Sequence, residues 1–232
     1  MNTPIISIII PVLNEAGGIV QLLEGLQGFR AQGAEIIVVD GGSSDGTAER
    51  ADFLADGVAT SPRGRGRQMN TGTALATGDI FLFLHADTRL PPTALSSVRE
   101  AISHGAHWGR FNVRIEGSVS GLGMVAFMMN WRSRLTGIAT GDQAIFVTRE
   151  AFLARSGFPD IPLMEDIVFT TGMRQKSPPA CLKETVTTSG RRWEKHGLLP
   201  TILMMWWLRL RFYFGASPND LAKEYGYVPH ES

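Results

Sequence analysis

Cysteine is almost missing from this chain. Cys181 is the only one among 232 residues, which excludes an internal disulfide and suits a reducing compartment. Its ordinary role is that of a small core residue. Net charge is missing too: 22 basic residues balance 22 acidic ones. The whole chain therefore lacks the positive field that nucleic acid demands, and any basic patch must be local. There is no internal repeat, low-complexity tract or linker. The apolar run from Ile5 to Leu13 has no basic region before it and is interrupted by Ser7 and Pro11. It reads as a first strand rather than a signal peptide, so the expected location is cytoplasmic. A long hydrophobic run is absent as well. The uncharged core Leu198 to Leu208 is about eleven residues, short of the roughly twenty that cross a bilayer.

What is present suits one large α/β domain, alone or with an appendage, since 44% of the residues are hydrophobic and a full core can be buried. Ile6 to Ile10, Glu35 to Asp40, a short stretch near Val58 and Ile80 to Leu84 read as strands. Helical stretches separate them: Gly17 to Phe29, a segment opening near Asp45 and Thr47, and about Arg67 to Ala76. Continuous apolar strands alternating with helices predict a Rossmann-like, mostly parallel sheet covered on both faces. Past about residue 105 the pattern becomes mixed. Trp108 to Gly117 and Ala144 to Thr148 read as strands, Gly121 to Leu135 and Glu165 to Gln175 as helices.

FLFLHADTRLP, Phe81 to Pro91, ends a buried strand on His85 and Asp87. Side chains two apart on an extended chain point the same way, and in a parallel sheet the carboxyl ends of the strands are where ligands bind. Two further tips, PVLNE (Pro11 to Glu15) and VVDGGSSDGT (Val38 to Thr47), are expected at the same edge. Together they suggest a site for something polyhydroxylated and phosphorylated. Asp40 would accept hydrogen bonds from a base or ribose, Gly41 and Gly42 would allow close backbone approach, and Asp87 would hold a divalent cation. Turn chemistry explains the glycines and Ser43 equally well. For Asp45 a helix-capping role is the preferred reading.

The chain resembles family 2 glycosyltransferases, which have the GT-A fold and transfer a sugar from a nucleotide-diphosphate donor with inversion. The likeness runs from Ile5 to about Trp193. It is greatest to a small bacterial subgroup, the radical-SAM/selenodomain-associated transferases 2, through GRGRQMNTG (Gly64 to Gly72), HADT, GDQAIFV (Gly141 to Val147) and RRWEKHG (Arg191 to Gly197). The resemblance implies a GT-A domain over residues 1–195, with a nucleotide-binding half (1–105) and an acceptor-side half (106–195), followed by an apolar helical segment (196–232). It implies Pro11, Asn14 and Glu15 beside the nucleoside, Asp40 on base or ribose, and Asp87 as the metal-binding second carboxylate of Asp-x-Asp. His85 stands in place of the first Asp, with Ala86 between them, so an imidazole would join or replace a Mg²⁺ or Mn²⁺ ligand. Glu165 and Asp166 match the acidic pair in which the Asp is the catalytic base. Arg192 and Trp193 match the Arg-Trp of processive relatives, but Ser189 occupies the Gln position, so no polymer synthesis is implied.

The implied chemistry is coherent. One carboxylate, Asp166, would take the acceptor's proton, while Asp87, its metal and Arg192 would stabilise the departing diphosphate. Arg63, Arg65 and Arg67 offer further cations on a loop entering a helix. Asp142 and Gln143 are candidates for sugar or acceptor contact. Two alternatives stand beside this reading: a sugar-1-phosphate nucleotidyltransferase, and a GT-A module that binds nucleotide-sugars without catalysis. A dinucleotide oxidoreductase is excluded, because PVLNEAGG follows the first strand where Gly-x-Gly-x-x-Gly would be needed. At the C-terminal end, Trp206 and Trp207 with Arg191, Arg192, Lys195, Arg209 and Arg211 suit a segment resting on an anionic membrane surface, with a lipid or other apolar acceptor. A core helix or a homodimer contact competes for the same stretch.

Overall fold

The structure is a computed structural model and describes residues 3–227. Strands β1 (Ile6–Val12), β2 (Glu35–Asp40), β3 (Gly57–Thr60) and β4 (Ile80–Phe83) alternate with helices α1 (Ile19–Arg30), α2 (Thr47–Ala51) and α3 (Arg65–Leu75). After β4 come β5 (Thr88–Arg89), α4 (Ala94–Ser103), β6 (Trp108–Glu116), α5 (Leu122–Thr136), β7 (Phe146–Thr148), α6 (Arg149–Ala154), α7 (Glu165–Lys176) and β8 (Ala180–Ser189). Three helices close the described chain: α8 (Arg191–His196), α9 (Leu198–Tyr213) and α10 (Pro218–Glu224). Residues 1–2 and 228–232, the ends of the two expected segments, lie outside the described residues.

Among the described residues the strands form one eight-stranded sheet in the order β3-β2-β1-β4-β7-β6-β8-β5. β3, β2, β1 and β4 are parallel, as are β6 and β8, while β7 and β5 run against their neighbours. Both faces are covered because β1 alternates between two cores. Ile6, Ile8 and Ile10 pack with α1 and α4 residues such as Leu23 and Leu95. Ile9 points the other way, among Met69, Phe152 and Phe169 from α3, α6 and α7. The α/β class and the mostly parallel sheet hold as expected, with the antiparallel additions falling in the mixed second half.

The sheet curls strongly. In strand order β4 and β5 stand four places apart, about 19 Å in a flat sheet. Yet His85 and Thr88 close a turn, Thr88 N–H donating to the His85 carbonyl at 3.0 Å, and that turn brings the chain straight from β4 to β5. The curl wraps β6, β8 and α8 around the carboxyl ends of β1 and β4. Strand β8 escapes sequence reading because Lys183 and Glu184 interrupt its apolar pattern; Ala180 and Cys181 pairing with Gly109 and Arg110, and Thr185 to Ser189 pairing with Asn112 to Glu116 and with β5, give it its place.

Candidate active site

A cavity of about 390 Å³ opens where β1 and β4 end. Pro11, Val12, Leu13 and Glu15 from the first tip and His85, Ala86 and Asp87 from the β4 tip line it. Arg63 and Arg65 enter from the start of α3, Asp142 from the turn before β7, and Arg191, Arg192 and Trp193 from α8. Four arginines thus meet three carboxylates. Arg191 alone reaches two of these acids, Glu15 at 3.2 Å and Asp87 at 3.5 Å. Asp142 pairs with His85 Nδ1 at 3.2 Å. Arg63, Arg65 and Arg192 have no carboxylate within 4 Å among the described residues. None of the three is paired directly, although Glu165 and its neighbours act on Arg65 at longer range.

His85 and Asp87 share the cavity as expected, for a different reason. The segment is a turn rather than extended chain, so period-two alternation does not align them. His85 is packed against Gly141, where any Cβ would overlap its ring, and is committed to Asp142. Asp87 has 30% of its side chain exposed and accepts weakly from Thr88 and Thr188 hydroxyls at 3.3 and 3.4 Å.

Several expected contacts are redirected. Asp40 is only 3% exposed, and its carboxylate accepts from Gly42 N–H, Ser43 N–H and the Ser43 hydroxyl. It holds its own turn and does not line the cavity. Asn14, at φ 53°, joins the first two tips by accepting from Ser44 N–H at 3.0 Å. Arg67 pairs with Asp160 because α3 begins at Arg65, two residues earlier than expected. Residues two apart on a helix diverge by about 200°, so Arg65 faces the cavity and Arg67 does not. Gln143 is fully buried, closing a capping box with Thr140 and donating to the Ser133 hydroxyl at 2.9 Å. It has no free edge for a sugar.

The acidic pair lies outside the cavity lining. Asp166 accepts from Gly141 N–H at 2.8 Å and from Ile167 N–H at 2.7 Å, which places it directly behind the turn that carries Asp142. Burial raises its pKa against the pull of those two N–H groups. Glu165 is 5% exposed, and burial, then the neighbouring Asp166 charge, push it up to about 7. Burial works against the ionised form of Asp142 too, but the hydrogen bond from His85 and the charges of His85, Arg65 and Arg132 keep it below the usual range. Burial likewise opposes the charge of Arg65, yet Glu165 and its neighbours hold it above the ordinary arginine value. Two carboxylates of opposite tendency therefore flank one turn.

Residues 7–151 match the family described as Glycosyl transferase family 2, and that span is more than half of the chain. The chain belongs to glycosyl transferase family 2. Its relatives include a PGL/p-HBAD biosynthesis glycosyltransferase of Mycobacterium bovis, 36% identical over 97 residues, which are 39% of this chain and 38% of that one. A dolichol-phosphate mannosyltransferase of Pyrococcus furiosus is 32% identical over 111 residues, 44% of this chain and 31% of the relative. The matched region thus spans less than half of either relative. Among solved structures, the mannosyltransferase PcManGT from Pyrobaculum calidifontis, in complex with GDP-Man and Mn²⁺, superposes with a TM-score of 0.62 at 21% identity, covering 81% of this chain and 57% of that one. Staphylococcus aureus TarS 1-349 in complex with UDP-GlcNAc gives 0.63 at 20% identity, covering 79% and 58%. The fold of this family 2 chain is therefore that of the GT-A glycosyltransferases.

Sequence reasoning placed Arg191 in the basic group at a membrane surface, whereas it lines the cavity and pairs with Glu15, 176 positions away. Sequence reasoning passed over Gln68, whose buried amide donates to the Val12 and Val39 carbonyls at 2.8 Å each and ties the β1 and β2 tips together. Gln68 lies inside GRGRQMNTG, so the motif carried the signal although its spacing did not. Tyr225 and Tyr227, which also line the cavity, follow α10, which falls within the expected helical segment 196–232 but was not read as a separate helix.

Proposed function

We propose that this protein transfers a sugar from a nucleotide-diphosphate donor to an acceptor hydroxyl with inversion. The observation that carries the reading is the set of three arginines, Arg63, Arg65 and Arg192, left without carboxylate partners at the carboxyl ends of β1 and β4. A diphosphate supplies the missing negative charge, and ligands of doubly wound sheets bind at that edge. PcManGT was solved with GDP-Man and TarS with UDP-GlcNAc, which supports a nucleotide-sugar as donor. The four sequence motifs support placement in the radical-SAM/selenodomain-associated subgroup.

Among the described residues no three His, Cys, Asp or Glu side chains gather as a metal cage. Of the three carboxylates lining the cavity, Glu15 is tied to Arg191 and Asp142 to His85, which leaves Asp87 the most loosely held, and a Mg²⁺ or Mn²⁺ ion held mainly by phosphate oxygens needs only one or two protein carboxylates. The donor set therefore fits a cation that arrives with the diphosphate, with Asp87 as its protein ligand. Such a cation would neutralise the leaving group. His85, held by Asp142, is left to orient that turn.

Asp166 is the proposed proton acceptor, supported by its raised pKa and its place behind the Asp142 turn. A second reading gives that role to His85 oriented by Asp142, favoured because both side chains line the cavity.

The acceptor is proposed to be lipid or otherwise apolar, presented at a membrane surface. Ile115, Met129, Trp193 and Met205 form an apolar side of the cavity. Beyond it α5 exposes Met124, Phe127, Met128, Trp131 and Leu135, and α9 exposes Leu199, Leu203, Trp206, Trp207, Leu210 and Tyr213. Both sets follow helical spacing, so each helix presents one unpartnered apolar stripe. The residues from 117 to 141 and from 190 to 216 contain seven Lys or Arg and one acid, Glu194, in a chain of zero net charge. An anionic bilayer fits that combination. No described helix is long and apolar enough to cross a membrane.

Thermal shift with a panel of nucleoside diphosphates and nucleotide-sugars, with and without Mn²⁺, tests the donor reading, since a ligand that binds the native state raises its stability. Asp87→Ala should abolish any Mn²⁺-dependent gain. Unchanged metal dependence in that variant would remove Asp87 from the site. Consumption of a nucleoside triphosphate with a sugar-1-phosphate would instead favour the nucleotidyltransferase, and binding without slow donor hydrolysis the non-catalytic module.

A further inference from the structure

The C-terminal helices do more than offer an apolar face. Leu221 of α10 is fully buried with Leu208 of α9 and Met164, the residue immediately before the acidic pair. This anchor carries the chain after α10 back to the cavity. There the Tyr225 ring lies beneath the Arg192 guanidinium at 3.6 Å, and the Tyr227 ring beneath that of Arg63 at 4.7 Å. Arg192 also donates to the Tyr225 carbonyl at 3.3 Å. All four side chains line the cavity. Arg63 Nε is buried and meets no acceptor among the described residues.

A guanidinium has two chemically separate surfaces. Its face stacks on an aromatic ring, while its N–H groups lie in the plane and point outward from the edge. Stacking therefore removes side-chain freedom from the arginine without using the donors that bind phosphate. Pairing with a carboxylate would have the opposite effect, fixing the arginine and consuming its donors. The arginines here illustrate both cases: Arg191 is engaged by Glu15 and Asp87, whereas Arg63 and Arg192 are held by rings.

We propose that Tyr225 and Tyr227 are donor-site residues that pre-organise Arg192 and Arg63 for the diphosphate of the nucleotide-sugar, so that the α9–α10 hairpin completes the donor site. The proposal rests on the donor reading above and assigns a binding role to a segment beyond the family match at residues 7–151. Tyr225 and Tyr227 are positioning residues, since their effect reaches the ligand through the arginines.

The test is calorimetric titration of the full chain with UDP, GDP and inorganic pyrophosphate. Tyr225→Leu and Tyr227→Leu remove the ring and keep bulk; Tyr225→Phe and Tyr227→Phe keep the ring and remove the hydroxyl. From the usual strength of a cation–π contact, each Leu variant should bind the diphosphates about three- to thirty-fold more weakly, with the Phe variants near wild type. Tyr227 lies outside the Leu221 cluster, so its variants remain informative if Tyr225→Leu lowers the melting temperature. Leu variants that bind within threefold of wild type, or more tightly, overturn the clamp and leave the donor reading standing. Phe variants as weak as the Leu variants assign the effect to the hydroxyl and overturn it as well. Failure of the wild type to bind any of the three probes removes both the donor reading and the clamp.

Discussion

Glu165 and Asp166 are adjacent and alike in charge, Glu165 buried and Asp166 half-buried, and each makes its own experimental demand. Glu165 titrates at about 7 in the folded chain, against roughly 4.3 when unfolded. The folded state then holds a proton that the unfolded state releases, so stability declines as pH rises from about 4.5 through 7. The loss amounts to at most about 4 kcal/mol. Glu165→Gln mimics the protonated form and should flatten that decline in denaturant titrations across the window. An unchanged slope would show that Glu165 ionises normally. Asp166→Asn, if Asp166 takes the acceptor's proton, should lower single-turnover transfer about 10²- to 10⁴-fold while donor affinity changes less than about threefold. Intact turnover with a lower melting temperature would leave Asp166 only its hydrogen bonds to Gly141 and Ile167. Asp142→Asn serves as the comparison: a greater kinetic loss there would transfer the role to His85.

At the scale of elements, helix α3 determines how closely the cationic loop approaches the strand tips. A Cβ on Gly72 would stand 2.5 Å from Ile9 Cγ2 and 3.1 Å from Val39 Cγ2, so α3 sits directly on β1 and β2 only because that residue is glycine. Alanine is the better helix former by about 1 kcal/mol, yet the overlap should cost about 1–3 kcal/mol. We expect Gly72→Ala to be destabilising and to weaken donor binding through displacement of Arg65 and Gln68. Gly25 in α1 has nothing within 4 Å of its Cβ position, so Gly25→Ala should stabilise by up to about 1 kcal/mol. Chemical denaturation of both variants checks the pair. If Gly72→Ala is as stable as Gly25→Ala, the contact between α3 and the sheet is not as tight as described.

For the whole molecule, α5 and α9 line the cavity through Met129 and Met205 and expose their apolar stripes on another face. Gly121, at the start of α5, lies so near Leu198 of α9 that a Cβ would stand 2.8 Å from its Cδ2, so the two helices adjoin at their N-terminal ends. Replacing Phe127, Trp131, Trp206 and Trp207 with Ser should reduce sedimentation with anionic vesicles at least tenfold. Melting temperature should change little, because these side chains are already exposed. Neutral vesicles should bind the wild type more weakly than anionic ones, and added salt should narrow the difference. Equal binding of wild type and variant would exclude a bilayer at this face. A shift in the wild type alone from dimer to monomer on dilution would make a second copy its occupant.

The local pattern of the amino acids determined the parallel half of the sheet. Continuous runs such as Ile6 to Ile10 and Glu35 to Asp40 can be buried on both faces only between two helical layers, so β1, β2 and β4 and the edge where their tips lie were readable in advance. Segments that line the cavity were legible where they are short: the β4 tip with His85 and Asp87, and the arginine-rich start of α3. The partners of those residues were not legible. Whether Asp40 meets a ligand or its own turn, whether Arg65 or Arg67 faces the cavity, and which of two adjacent arginines reaches Glu15 depend on a two-residue shift in a helix start or on a contact 176 positions away. Local propensity carries no information at that range. The curl that brings β8 and α8 over the strand tips, and the hairpin that returns Tyr225 and Tyr227 to Arg192 and Arg63, exist only because buried side chains such as Val186 and Leu221 fit cores assembled from distant segments. The sequence determined which groups were available, and tertiary packing decided which of them meet.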